Sequence, residues 1–336
     1  MNFAMWGKAL SIIPRITKDE WDHLDVVSRW LIATRAAVLI MTFLSAAIAG
    51  ILAAQAGMFD LGRWLLLTIG LVFAHATNNM VNDLTDSRKG VDKDNYFRTQ
   101  YGPQPVEQGL MSVREVYTYV AITGLVAVAA GLPLLLQGGL LTWLFFGLGV
   151  IFVLFYTWPL KYIGLGEIAV IIVWGPLMIG GGYYAITHQW SWNVVWASLP
   201  YALGTTMVIF GKHIDKHDSD KAKKIFTLPV IIGATAARYT TLVMMALQYI
   251  MVIYLVIIRF FSPALLVVLL ALAVVPQVYA MYKNPKPAER PANYPADTWP
   301  LWFVAASFLH NKRFGMLFLL GLILDFAVKS FHILGY

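Results

Sequence analysis

The sequence predicts an all-α integral membrane protein, a single bundle of about nine transmembrane helices. Three observations predict it. Of 336 residues, 59% are apolar and only 13% charged, roughly half the charge fraction of a soluble domain, and the mean hydropathy is +0.67. The apolar residues fall in runs of about 20, enough at 1.5 Å per residue to cross a hydrocarbon core of ~30 Å. Lysine and arginine concentrate in alternate loops, as the positive-inside rule requires of a multi-pass chain. Within lipid such runs must be helical, because every backbone N–H and C=O has to be satisfied inside the segment.

Residues 1–28 are polar and mixed in charge, without the basic start, short apolar core and small-residue cleavage site of a signal peptide. They are expected to form a cytosolic segment, partly helical, that lies on the membrane surface through Trp6, Ile12, Ile13 and Trp21. Residues 29–336 are the expected membrane domain, with spans at 29–54, 63–84, 114–136, 139–158, 165–187, 192–213, 234–259, 262–282 and 312–334. The apolar stretch 298–310 is too short to cross and reads as a re-entrant or surface helix. Trp30, Trp64, Trp143, Trp158, Trp190 and Trp192 near span ends suit an interfacial belt. Small residues for close helix packing stand at Gly180, Gly181 and Gly182, and at Ser45, Ala46, Ala49 and Gly50.

The N-terminal arm and the loops after the second, sixth and eighth spans carry most of the basic residues; the alternate loops carry Arg63, Arg259 and little else. This places the N-terminus in the cytoplasm and, after nine spans, the C-terminus outside. The net charge of +7 follows from this distribution and calls for no nucleic-acid partner. With no cysteine, disulfides, thiolate metal sites and thiol nucleophiles are excluded. Two cytoplasmic connections, 85–113 and 214–233, are too long and polar to be mere turns, and 283–300 is a proline-rich strap.

Both long connections begin in acidic clusters. The second span ends Asn78-Asn79-Met80-Val81-Asn82-Asp83-Leu84-Thr85-Asp86, where helical spacing puts Asn79, Asn82, Asp83 and Asp86 on one face. Gly90 allows a turn that returns Asp92 toward the same point. The sixth span ends Gly211-Lys212-His213-Ile214-Asp215, followed by Asp218 and Asp220. Six of the chain's 18 acidic residues lie in these two stretches. Facing carboxylates repel unless cations lie between them, and Mg²⁺ takes one or two carboxylates, keeps water and completes its shell with phosphate oxygens. Two such clusters with lysine and arginine between them suit a diphosphate, held and stabilised as a leaving group.

These residues resemble a known family. Asn82-Asp83-x-x-Asp86-x-x-x-Gly90-x-Asp92 looks like the first aspartate-rich motif of the UbiA superfamily of intramembrane prenyltransferases. Gly90-Val91-Asp92 and the stretch from Tyr156 through Lys161 and Tyr162 to Gly166-Glu167 are similar to the branch that prenylates 1,4-dihydroxy-2-naphthoate for menaquinone. Gly175-Pro176, Gly182-Tyr183-Tyr184, Arg35 and Glu107-Gln108-Gly109 also fit. The resemblance implies Mg²⁺ and a polyprenyl diphosphate held by Asn82, Asp83, Asp86, Asp92, Asp215, Asp218 and Asp220, with Arg35, Lys93 and Lys161 on the diphosphate. It implies an aromatic acceptor beside Lys161 and Tyr162. Tyr156, Tyr162 and Tyr183 are candidates to stabilise an allylic cation through their faces, and His213 or His217 to remove the final proton. His75 reads as a buried packing histidine, and Asp325 with Lys329 as an i,i+4 ion pair.

The sequence departs from that branch where an Asn-Asn-x-Arg-Asp entry is usual and Gly211-Lys212-His213-Ile214-Asp215 stands instead, and where Gln104 replaces an arginine. The departures bear on the acceptor. A non-aromatic acceptor and terpene cyclisation are the alternatives within the superfamily. A transporter is the alternative outside it, disfavoured because the acids sit at one surface instead of near mid-membrane.

Overall fold

The computed structural model describes residues 1–90, 102–296 and 298–333. Regular structure among them is helical throughout. Three helices form the N-terminal arm: α1 (Phe3–Ser11), α2 (Lys18–Asp22) and α3 (Val26–Ala33). The bundle follows as α4 (Ala36–Gln55), α5 (Leu61–Arg88), α6 (Val113–Phe155), α7 (Gly166–Thr187) and α8 (Trp192–Asp215). Two short helices, α9 (His217–Ala222) and α10 (Leu228–Ile232), lead to α11 (Ala234–Ile257), α12 (Pro263–Lys283) and α13 (Phe303–Ser330).

Among the described residues seven helices are long and apolar enough to cross a membrane. One of them, α6, has 43 residues and turns back at Gly139, whose φ of 69° and ψ of −168° only glycine adopts readily. It therefore supplies two spans. The 28-residue α13 also has the length to cross, although His310, Asn311, Lys312, Arg313 and Asp325 make it less apolar. The expected helical bundle is present, and the differences lie at helix ends.

The first expected span, 29–54, is broken. Arg35 has φ 54° and ψ 55° between α3 and α4, a left-handed backbone that costs a non-glycine residue about 1–3 kcal/mol. The amide of Asn79 donates to the carbonyl of Thr34 at 2.8 Å, satisfying a group that the break frees. The stretch 298–310 is likewise not a separate helix, since α13 runs unbroken from Phe303. Much of the connection 214–233 is helical, as α9 and α10.

The arm also differs from expectation. Trp21 is only 2% exposed, inside a cluster with Leu31, Leu84 and Met111, so it is a packing residue. Asp25 pins the arm: its carboxylate caps α3 through Val27 N and Ser28 N and accepts from Trp6 Nε1 at 3.1 Å and Asn2 N at 2.9 Å. Despite some desolvation, these donors hold its pKa well below the usual carboxylate range.

The main core joins α4, α7, α8, α11, α12 and α13 around Tyr201, Tyr282, Phe314 and Phe318. Small residues permit the close approaches: Gly182 lies against Leu67 and Ala49, and Gly50 against Trp64. Asp325 and Lys329 pair at 3.0 Å as expected. Asp325 also accepts from Gln55 and from Ser262 N, capping the start of α12.

Candidate functional site

The break before α4 turns the Arg35 guanidinium onto the carboxylate of Asp83, one helix away on α5. A turn later on α5, both oxygens of Asp86 accept from Lys161 Nζ, at 2.7 and 2.8 Å. Lys161 sits in a tight helical turn, 160–163, between α6 and α7, and its Nζ also lies 5.5 Å from the Tyr162 ring centroid. All four charged groups are nearly buried. The second asparagine of the motif, Asn82, is different: its Oδ1 is buried and accepts no hydrogen bond among the described residues.

Of these groups, Arg35 and Asn82 border a cavity of about 860 Å³. Its polar end is lined by Arg35, Asn78, Asn79, Asn82, Tyr156 and Lys212. Its long body runs between α4, α5, α6 and α7 past Leu67, Gly70, Val128, Phe145, Phe146 and Met178. Ile12 and Ile13 of the arm and Leu301 before α13 complete the wall. Asp83 and Asp86 stand behind this lining rather than in it, each against its basic partner.

The second acidic cluster is arranged otherwise. Both oxygens of Asp215 accept backbone N–H groups at the start of α13: Trp302 at 3.0 Å, Phe303 at 3.1 Å and Val304 at 3.0 Å. It is a helix cap supplied from another helix. Lys286 of the strap approaches it at 3.9 Å; burial lowers the Lys286 pKa and the Asp215 carboxylate opposes that shift. Asp220 pairs with Lys216 at 3.0 Å, and Asp218 is fully exposed beside His217. None of the three lines the cavity.

Among the described residues no three acidic or histidine side chains gather as a metal cluster. Asp92 and Lys93 lie outside the described residues. The first motif nonetheless fits Mg²⁺ in kind: Asn82 offers a buried, unused carbonyl oxygen at the cavity, and Asp83 and Asp86 offer hard anionic oxygens behind it. Asp215, as a cap, does not fit while α13 keeps its N-terminal hydrogen bonds.

Of the tyrosines expected to face a cation, Tyr156 lines the cavity; Tyr162 and Tyr183 do not, and Tyr183 belongs to the core. His213 is buried against Glu167, Nδ1 to Oε1 at 2.5 Å, while Glu167 Oε2 accepts from Leu228 N at 3.2 Å. That pair ties α7, α8 and α10 together away from the cavity. Its signal in the sequence was Glu167 at the head of an apolar run, an acid that needs a partner. His75, read as a packing histidine, instead lines the cavity and bonds Thr42. Lys212 and Trp174 were not placed among the site residues and also line it.

Comparison with known proteins agrees with this architecture. The chain is 28% identical over 223 residues to the 1,4-dihydroxy-2-naphthoate octaprenyltransferase of Escherichia coli (strain K12), covering 62% of this chain and 70% of that one. It is 27% identical over 183 residues to the UbiA prenyltransferase domain-containing protein 1 homolog of Drosophila melanogaster, covering 54% of this chain and 50% of the relative, so it spans about half the length of that protein. Its fold superposes on the apo structure of a UbiA homolog from Aeropyrum pernix K1 with a TM-score of 0.64 at 21% identity, covering 85% of this chain and 98% of that one. A UbiA homolog from Archaeoglobus fulgidus bound to GPP and Mg²⁺ gives a TM-score of 0.58 at 17% identity, over 90% and 99% of the two chains. Residues 43–304 match the UbiA prenyltransferase family, and with more than half of its length inside that match the chain belongs to this family.

Proposed function

We propose that the protein transfers a prenyl group from a polyprenyl diphosphate to an aromatic acceptor, a naphthoate or another quinone precursor, in a Mg²⁺-dependent reaction at the cytoplasmic end of the bundle. The observation that carries this reading is the cavity: one end is lined by Arg35, Asn82 and Lys212 beside two ion-paired aspartates, and the rest is a long apolar passage. An amphipathic substrate with an anionic head and an isoprenoid tail matches that division.

Asn82, Asp83 and Asp86 would hold Mg²⁺, which when bound neutralises the diphosphate and stabilises it as a leaving group. Arg35 and Lys161 are poised beside the same carboxylates to bind phosphate oxygens. Tyr156, at the junction of polar end and apolar body, presents an aromatic ring where positive charge develops on the allylic carbon. The apolar walls exclude water, which would otherwise capture the cation. Attack by an electron-rich ring carbon of the acceptor, followed by loss of a proton, completes the transfer. Similarity to a naphthoate octaprenyltransferase and the Gly90-Val91-Asp92 ending support an aromatic acceptor.

Detergent-purified protein supplied with Mg²⁺, geranylgeranyl diphosphate and 1,4-dihydroxy-2-naphthoate is expected to release diphosphate and form a prenylated naphthalene. Release of diphosphate with a cyclic terpene or an ether lipid as product would retain prenyl chemistry and refute the aromatic acceptor.

A further inference from the structure

The apolar body of the cavity is interrupted at one depth. Trp174 of α7 and His75 of α5 line it there, rings edge to face with centroids 5.3 Å apart and an interplanar angle of 89°. The indole nitrogen of Trp174 is buried and makes no hydrogen bond among the described residues. An indole N–H can only donate, and an unanswered donor inside a membrane bundle costs free energy unless an occupant supplies an acceptor. Trp174 also belongs to a widened helical segment, Val173–Gly180, around Pro176, and such π-type segments occur frequently at functional sites.

His75 presents the same kind of group. Its Nδ1 lies 2.7 Å from Thr42 Oγ1. Thr42 is fully buried, and among the described residues no carbonyl accepts its hydroxyl. The hydroxyl therefore donates to Nδ1, and the ring proton resides on Nε2. Were the ring charged, Nε2 would still carry a proton. Two N–H donors from different helices thus sit at one level of the cavity wall, the indole N–H of Trp174 buried within it. His75 is seven residues before Asn82 on α5, ~10 Å along the helix axis.

A prenyl tail has no oxygen at that distance from its diphosphate, and a channel built only for the tail needs no donors. We propose that Trp174 and His75 form a subsite for an oxygen of the acceptor, either its carboxylate or a ring oxygen, and so orient the aromatic ring toward the Asn82 end. Arg35, which lines the same cavity, supplies positive charge for an anionic oxygen. The proposal rests on the aromatic-acceptor reading above and deepens it, making Trp174 and His75 determinants of acceptor specificity and Thr42 a positioning residue.

The test measures KM separately for acceptor and for geranylgeranyl diphosphate in the wild type, Trp174→Phe, His75→Phe and His75→Asn. Acceptors are 1,4-dihydroxy-2-naphthoate and 1,4-dihydroxynaphthalene, which lacks the carboxylate; 2-naphthoate, which lacks the activating ring hydroxyls, is measured as a competitive inhibitor. Each phenylalanine variant keeps an aromatic ring and is expected to raise the dihydroxynaphthoate KM about tenfold or more. KM for geranylgeranyl diphosphate rises by much less, because a prenyl tail has no oxygen to accept from either group. His75→Asn, which restores a donor, recovers part of the loss. The analogue for which the variants no longer differ from wild type lacks the oxygen that is bound. If the wild type prenylates the naphthoate and both phenylalanine variants keep its acceptor KM, or both KM values rise together, the N–H groups serve water or packing and the subsite is wrong. If the wild type releases diphosphate but prenylates neither dihydroxy acceptor, the aromatic reading fails and the subsite falls with it.

Discussion

The two acidic motifs end helices at the same end of the bundle, close enough that Lys223 beyond the second reaches the Gly90 carbonyl beyond the first at 3.5 Å. Their carboxylates are held in opposite ways. Asp83 and Asp86 are matched by side-chain cations, Arg35 and Lys161, which can exchange a carboxylate for a phosphate oxygen by rotating a few bonds. Asp215 is matched by three backbone N–H groups at the start of α13, which cannot leave without undoing the helix end. The comparison teaches that an acid's position in a motif does not fix its task. The partner that neutralises it decides whether it is available to a ligand.

The largest effect expected from this contrast is at the first motif. Asp83→Ala or Asp86→Ala should abolish turnover, by at least 10²-fold or ~2.7 kcal/mol of barrier, while the protein still inserts and folds. Product analysis after detergent purification checks this, and full activity in either variant breaks the assignment. Next is Lys161→Met, which removes a proposed phosphate ligand and strands the buried Asp86. KM for the prenyl diphosphate should rise, and stability should fall by about 3–5 kcal/mol; adding Asp86→Asn to the same chain should recover much of the stability and none of the activity. Smaller still is Asp215→Asn, expected to weaken the α13 cap by about 1–2 kcal/mol and to leave KM for the prenyl diphosphate near that of the wild type. A large specific rise in that KM would return Asp215 to the diphosphate site.

A labelling experiment sharpens the comparison without altering stability. Single cysteines at Ser219 and Ser87 in this cysteine-free chain should react with an impermeant thiol reagent from the cytoplasmic face, and one at Gln189 from the opposite face. Reaction of the Ser219 position from outside would reverse the orientation inferred from the basic loops.

Much of this was legible in the chain. Hydropathy gave the bundle because lipid leaves a long apolar run no alternative to a helix, and helical spacing grouped Asn82, Asp83 and Asp86 at the end of one helix, where Asn82 lines the cavity. What spacing does not encode is which tertiary partner reaches a side chain. The break at Arg35 depends on Asp83 and Asn79, distant in sequence. The capping role of Asp215 depends on α13, nearly 90 residues later. His75 was read as packing because a lone histidine in an apolar helix usually is; only the approach of Trp174 and Thr42 puts it on the cavity wall.

The most direct measurement is a Mg²⁺ titration of diphosphate release by purified wild type, Asp86→Asn and Asp215→Asn, run at a temperature where all three are folded. A metal-dependent site at the end of α5 predicts saturable release for the wild type and no response to Mg²⁺ for Asp86→Asn. For Asp215→Asn it predicts a curve with the wild-type midpoint and a rate within tenfold of wild type. Undiminished release in EDTA, or loss of the Mg²⁺ response in Asp215→Asn with its retention in Asp86→Asn, would contradict the account.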